Sequence, residues 1–135
     1  MGQKYRTTIT IAPPIGLMIA IFLLSSIPGR SSESGLAFLT EIDPQLQNLL
    51  HVPLFGLLQV LWLCAFTKLG RSGWHRTLTC LSISLLYSFF DEFHQMFVPG
   101  RFASLQDLVL NFTGIVLGTL MFLVWQKINI HESVV

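Results

Sequence analysis

The chain has 135 residues, of which 52% are hydrophobic and only 11% charged, with a formal net charge of +1. An average soluble domain carries roughly 25% charged residues, so this is a membrane composition. The near-neutral charge, without a basic cluster interleaved with aromatics outside the loops, gives no nucleic-acid partner.

Four apolar runs, at about residues 9–27, 49–69, 77–97 and 105–126, are each close to the ~20 residues that a helix needs to cross the hydrocarbon core. Four spans with short connections leave no room for a second domain. The predicted fold is therefore all-α: residues 1–135 form a small polytopic membrane protein, a bundle of four transmembrane helices with short loops.

In the first run, Pro13-Pro14 is placed to start the helix, since proline at the first helical position loses no bond. A signal peptide is the rival reading, with Lys4 and Arg6 before the apolar core and Ser25-Ser26 after it. The nearest small-x-small triplet, Gly29-Arg30-Ser31, follows a proline and holds an arginine, which makes a poor cleavage site. The loop over residues 28–47 carries Pro, Gly and a Ser-Ser-Glu-Ser-Gly cluster, which is turn chemistry. Within it, residues 36–39 suit a short interfacial turn, and Asp43-Pro44 suits a cap for the second helix.

The second run opens with His51 and carries Gln59 on a similar face. Cys64 and Cys80, in the second and third runs, lack metal-type spacing and read as small apolar residues. Lys68, Arg71 and Arg76 join the second and third helices, while Lys4 and Arg6 precede the first and Lys127 follows the fourth. Short loops rich in Lys and Arg stay inside, which predicts cytoplasmic termini. Trp74, Trp125 and Tyr5 fall at the same ends, where amphipathic rings prefer the headgroup level.

Most of the ionisable chemistry lies in Asp91-Glu92-Phe93-His94-Gln95-Met96-Phe97-Val98-Pro99-Gly100-Arg101, followed by Asp107 and Asn111. A charge near the bilayer centre costs at least ~2.5 kcal/mol, so such residues need a reason. Ser84, Ser88, Asp91 and Gln95 follow helical spacing on the third run, as do Asp107, Asn111, Gly114 and Gly118 on the fourth. These two stripes are expected to face each other, with the glycines letting the backbones approach. Ser104 and Asp107 have capping-box spacing.

The alternating topology brings Ser25 and Ser26, His51, residues 91–95, and Asp107 with Asn111 to one depth on the outer side. Pro99-Gly100 turns the chain so that Arg101 lies over this mouth, where its planar fork suits a carboxylate or phosphate. Asp91, Glu92 and His94 are the candidate acid–base residues, because clustered carboxylates beside an imidazole push pKa values apart. Arg101, His51, Gln95, Asp107, Asn111, Ser25 and Ser26 are the candidate binding residues. Each also has a structural reading: Asp91 or Glu92 pairs with Arg101, Asp107 serves its helix N-terminus, and Asn111 joins helices. Asp91-x-x-His94 with His51 and Asp107 makes a partial metal set, but the spacing is not His-Glu-x-x-His, and no metal ligand is assigned. A serine nucleophile at Ser25 or Ser26 lacks a strained turn.

The residues Asp91, Glu92, His94, Gln95, Phe97, Pro99, Gly100, Arg101, Asp107, Asn111 and Gly114 resemble the signature of the VanZ-like family of bacterial membrane proteins. Ser25-Ser26 before Pro28 and His51 at the start of the second helix are similar to its weaker marks. Pro53-Leu54-Phe55 departs from the tyrosine that often follows its histidine. The resemblance implies a multi-pass protein of the bacterial cytoplasmic membrane and a link to resistance to teicoplanin, a glycopeptide that binds cell-wall precursors; it implies no reaction and no cofactor. The expected partners are membrane lipids and an anionic lipid headgroup or cell-wall precursor. The alternative is a non-enzymatic interaction module whose polar cluster is structural.

Overall fold

The computed structural model describes residues 2–28, 49–101 and 103–132. The expected interfacial turn at residues 36–39 and the Asp43-Pro44 cap lie outside them. The described residues form four helices: α1 Gly2–Ser25, α2 His51–Lys68, α3 Gly73–Gln95 and α4 Leu105–Glu132. Three helices have stretches long and apolar enough to cross a membrane, Thr7–Ser25, His51–Lys68 and Leu105–Asn129. α3 is long enough, but Arg76, Asp91, Glu92 and its serines lower its hydropathy. Arg76, Ser84, Ser88, Asp91 and Glu92 are buried, while Ser82, Leu78, Leu86, Phe89, Phe90 and Phe93 are exposed. An apolar exterior around a polar interior is what a helix bundle in lipid requires.

The helix bounds correct the expected ones. α1 runs through Pro13 and Pro14 instead of starting at them, because proline's fixed φ is compatible with a helix even where it forfeits a backbone bond. α3 starts at Gly73, which moves Arg76 from the expected loop into the first turn of the helix, where it is 3% exposed. α4 continues past residue 126 to Glu132.

Ile21, Phe55, Leu58, Trp62, Leu63, Cys80, Tyr87, Ile115 and Phe122 form the apolar core. α1 packs on α2 and α3, and the most extensive contact joins α2 to α4. Glycines make that contact close: a Cβ at Gly114 would overlap the Val52 carbonyl, and one at Gly118 the Gly56 carbonyl. The glycine half of the α4 stripe therefore faces α2, which corrects its expected pairing with α3. The reason is Gly56, a third small residue, which turns the α2 surface into the seat that a Gly-x-x-x-Gly face packs against.

Polar side chains cross the bundle at three levels. Where α3 and α2 begin and end together, Arg76 donates to Thr67 Oγ1 and Gln126 Oε1, each at 3.0 Å, and lies over the Phe122 ring at 5.0 Å. Midway, Ser84 donates to Gln59 Oε1 at 2.8 Å and Gln59 Nε2 to Thr119 Oγ1 at 3.0 Å. The third level is the candidate site.

Candidate functional site

The site lies where α1 and α3 end and α2 and α4 begin. α3 stops at Gln95, and the chain turns through Val98-Pro99-Gly100-Arg101. Arg101 N–H donates to the Val98 carbonyl at 3.1 Å, and Gly100 has φ 75°. Proline at the second position and glycine with positive φ at the third make this a type II turn.

The turn delivers Arg101 to the end of α1. Its Nε donates to the Ile27 carbonyl at 2.9 Å and its Nη2 to the Leu24 carbonyl at 3.3 Å. A cation there satisfies carbonyls left over at a helix C-terminus and suits the helix dipole. Among the described residues no carboxylate makes an ion pair with it, so the charge pair with Asp91 or Glu92 across the turn does not form. Burial lowers the Arg101 pKa from its usual value, with Asp91, Asp107 and Glu92 opposing that shift. Arginine nonetheless remains a cation.

Asp91 is 1% exposed. One carboxylate oxygen accepts from the Ser25 hydroxyl of α1 and the other from Gln95 Nε2 at 3.0 Å. Ser25 Oγ also lies 2.8 Å from the Ile21 carbonyl. Ser26 stays out of the cluster and donates to the Phe22 carbonyl at 2.6 Å.

Glu92 faces α4. Its carboxylate accepts from Ser104 N–H at 3.3 Å and from Asn111 Nδ2 at 3.4 Å. Asn111 Oδ1 in turn lies 2.8 Å from His51 Nδ1. With the amide donating to Glu92, its oxygen faces the ring, so His51 Nδ1 is the donor and the lone pair of a neutral imidazole resides on Nε2.

The Ser104 cap forms in part. Its Oγ accepts from Gln106 N–H at 3.1 Å, but its own N–H goes to Glu92 and not to Asp107, so the reciprocal half of the capping box is absent. Asp107 is 6% exposed, and its Oδ1 has no hydrogen-bond partner.

The structure thus gathers Ser25, His51, Asp91, Glu92, Gln95, Asp107 and Asn111, with Arg101 beside them. It separates His94, whose ring stacks on Phe22 at 4.3 Å. Asp91 and His94 are three residues apart, yet Asp91 meets Ser25 while the ring of His94 lies on Phe22. One ligand-type atom from each of His51, Asp91 and Glu92 lies within 4.8 Å of the others, a trio that differs from the Asp91, His94, His51 and Asp107 set suggested by spacing. Sequence reasoning gave Ser104 a capping role only and missed that its backbone N–H reaches Glu92. It also missed the carbonyls of Leu24 and Ile27, because backbone groups leave no mark in residue identity.

Comparison with curated proteins and with solved structures gives no match. The sequence profile of the VanZ/LLP1 family matches residues 10–126, a span that contains every residue of the cluster. The chain belongs to the VanZ/LLP1 family of membrane proteins.

Proposed function

We propose that this protein uses the cluster, on the outer side of the bacterial cytoplasmic membrane, to bind an anionic envelope or lipid headgroup. The observation that carries the reading is the placement of Arg101: its contacts are the Ile27 and Leu24 carbonyls, and its positive charge is not consumed by a carboxylate among the described residues. A half-buried guanidinium at a helix end is a strong partner for phosphate or carboxylate. Asp91 and Glu92, with the His51 imidazole, are the groups arranged for acid–base work on such a ligand. His94, bound against Phe22, is the less favoured of the sequence candidates. A headgroup site facing outward suits a role in glycopeptide resistance through lipid or cell-wall precursors.

A second reading, a non-enzymatic interaction module, is favoured by Asp91, which is fully partnered by Ser25 and Gln95. Arg101→Lys separates the two, since lysine keeps the charge but loses the planar fork. The measurement is retention of anionic lipid by the purified protein, with teicoplanin susceptibility of cells and protein abundance in the membrane alongside. Loss of lipid and phenotype at normal abundance supports the headgroup reading. Unchanged lipid retention counts against it, and joint loss of protein and phenotype points to a structural role.

A further inference from the structure

We propose that His51, Asp91 and Glu92, with Asp107 beside them, bind one divalent transition-metal cation of the Zn2+ or Mn2+ kind. This rests on reading the cluster as a site and deepens that reading. The trio offers one nitrogen and two carboxylate oxygens that all lie within 4.8 Å of one another. Bonds of about 2.0–2.2 Å put two ligands of a tetrahedral metal ~3.3–3.6 Å apart, so closure around an ion needs the atoms of a pair to draw together by up to ~1.5 Å.

Charge balance calls for a cation. Asp91, Glu92 and Asp107 are 1%, 7% and 6% exposed, and among the described residues none of them makes an ion pair. The nearby Arg101 spends its Nε and Nη2 bonds on backbone carbonyls. Buried carboxylates without a counter-ion are costly, and a metal removes that cost.

Asp107 supplies an independent observation. Its Oδ1 is buried and has no partner. It lies one helical turn before Asn111, whose amide touches both His51 and Glu92. The capping bond that would have occupied the Asp107 carboxylate goes from Ser104 N–H to Glu92 instead, so this side chain on the first turn of α4 stays buried and unpartnered.

The surroundings of His51 suit a ligand. Metal-binding histidines donate the other ring N–H to an oxygen, which fixes the tautomer and orientation. Asn111 Oδ1 receives that bond at 2.8 Å, leaving the Nε2 lone pair to the metal. Oxygen donors with one imidazole fit Mn2+ and Zn2+, and the absence of thiolate from this group disfavours Cu(I). A cation held there supplies Lewis-acid stabilisation to a headgroup phosphate.

The test uses the full-length protein in lipid nanodiscs, stripped with chelator, exposed to Zn2+ and exchanged into metal-free buffer. Elemental analysis is expected to find one equivalent of zinc. X-ray absorption on the wild type is expected to find one imidazole among nitrogen and oxygen ligands. His51→Ala and Glu92→Gln should each weaken zinc binding at least ~10-fold, and Asn111→Ala, a positioning variant, by ~10-fold. His94→Ala should leave it unchanged. Substoichiometric zinc in the wild type, a coordination shell without imidazole, or equal zinc in His51→Ala and Glu92→Gln overturns the proposal. The two wild-type measurements decide the matter even where a variant fails to fold. Because the nanodiscs are of zwitterionic lipid and no anionic lipid enters the zinc assay, zinc retained by Arg101→Lys together with lost anionic-lipid binding supports the cation site, whereas lost zinc with lipid retained overturns it alone.

Discussion

Asn111 Oδ1 lies 2.8 Å from His51 Nδ1, and the same amide donates to Glu92, so one fully buried side chain of α4 joins α2 and α3. Its two halves do opposite jobs, accepting from an imidazole and donating to a carboxylate. Aspartate, although the same shape, fails at the second job because it places a carboxylate against Glu92.

Asn111→Ala is therefore expected to lower stability by about 0.6–2 kcal/mol, the range of interhelical hydrogen bonds in membranes. Asn111→Asp should be worse than alanine near neutral pH and recover as the pH falls and the carboxyl pair takes up a proton. Unfolding in mixed micelles, followed by helical circular dichroism across pH, checks both. An aspartate variant as stable as wild type at neutral pH would contradict the assigned amide orientation.

The α2–α4 seat gives a second prediction. A Cβ at Gly118 meets the Gly56 backbone, whereas one at Gly16 meets nothing within 4 Å. Gly118→Ala should cost about 1–3 kcal/mol by forcing the helices apart. Gly16→Ala should be neutral or stabilising by up to ~1 kcal/mol through helix propensity. The same unfolding assay compares them, and equal effects would mean that the close approach is not maintained in lipid.

Helix number and most of the cluster were legible because long apolar runs and helical spacing depend only on residue type, although His94 and Ser26, expected in the cluster, turn to Phe22 instead. Packing partners were less so. Gly114 and Gly118 share a face with Asp107 and Asn111, but one face of a helix can touch two neighbours, and the glycines settle on α2 because Gly56 leaves room there. Arg101 was legible as a cation over the mouth, yet its partners were not, since it binds carbonyls at the end of α1. Arg76 read as a loop charge because it follows Lys68 and Arg71 closely; only the early start of α3 at Gly73 turns it inward.

Arg76 supplies a third prediction. Its fork joins Thr67 to Gln126 across α2 and α4. Arg76→Lys keeps the charge but has no planar fork to reach both oxygens or to lie over Phe122. It should lose about 1–2 kcal/mol, and a double-mutant cycle with Gln126→Leu should return a coupling of ~0.6–1.7 kcal/mol. A coupling near zero would mean that the Gln126 contact is incidental.

The last prediction concerns α3, the helix whose hydropathy falls short of the other three. Averaged hydropathy counts every side chain, whereas lipid meets only the exposed ones. Ser84, Ser88, Asp91, Glu92 and Gln95 face inward, and the exposed face carries no acidic or basic residue beyond His75: it holds Leu78, Leu86, Phe89, Phe90 and Phe93 with Thr79 and Ser82 among them and Trp74 at one end. α3 should therefore cross the membrane as part of the bundle while inserting poorly alone. Reporter fusions ending after Gly73 and after Lys127 should report the cytoplasm, and one in the Pro99-Gly100 turn of the full chain should report the outside. The isolated segment from residue 73 to 97 should insert inefficiently, and Asp91→Leu with Glu92→Leu should improve insertion, since each carboxylate opposes it, by less than the ~3 kcal/mol of a helix-centre position because both lie near the end of the segment. If the turn and residue 73 report the same side, α3 does not span, and the outward placement of the cluster falls with it.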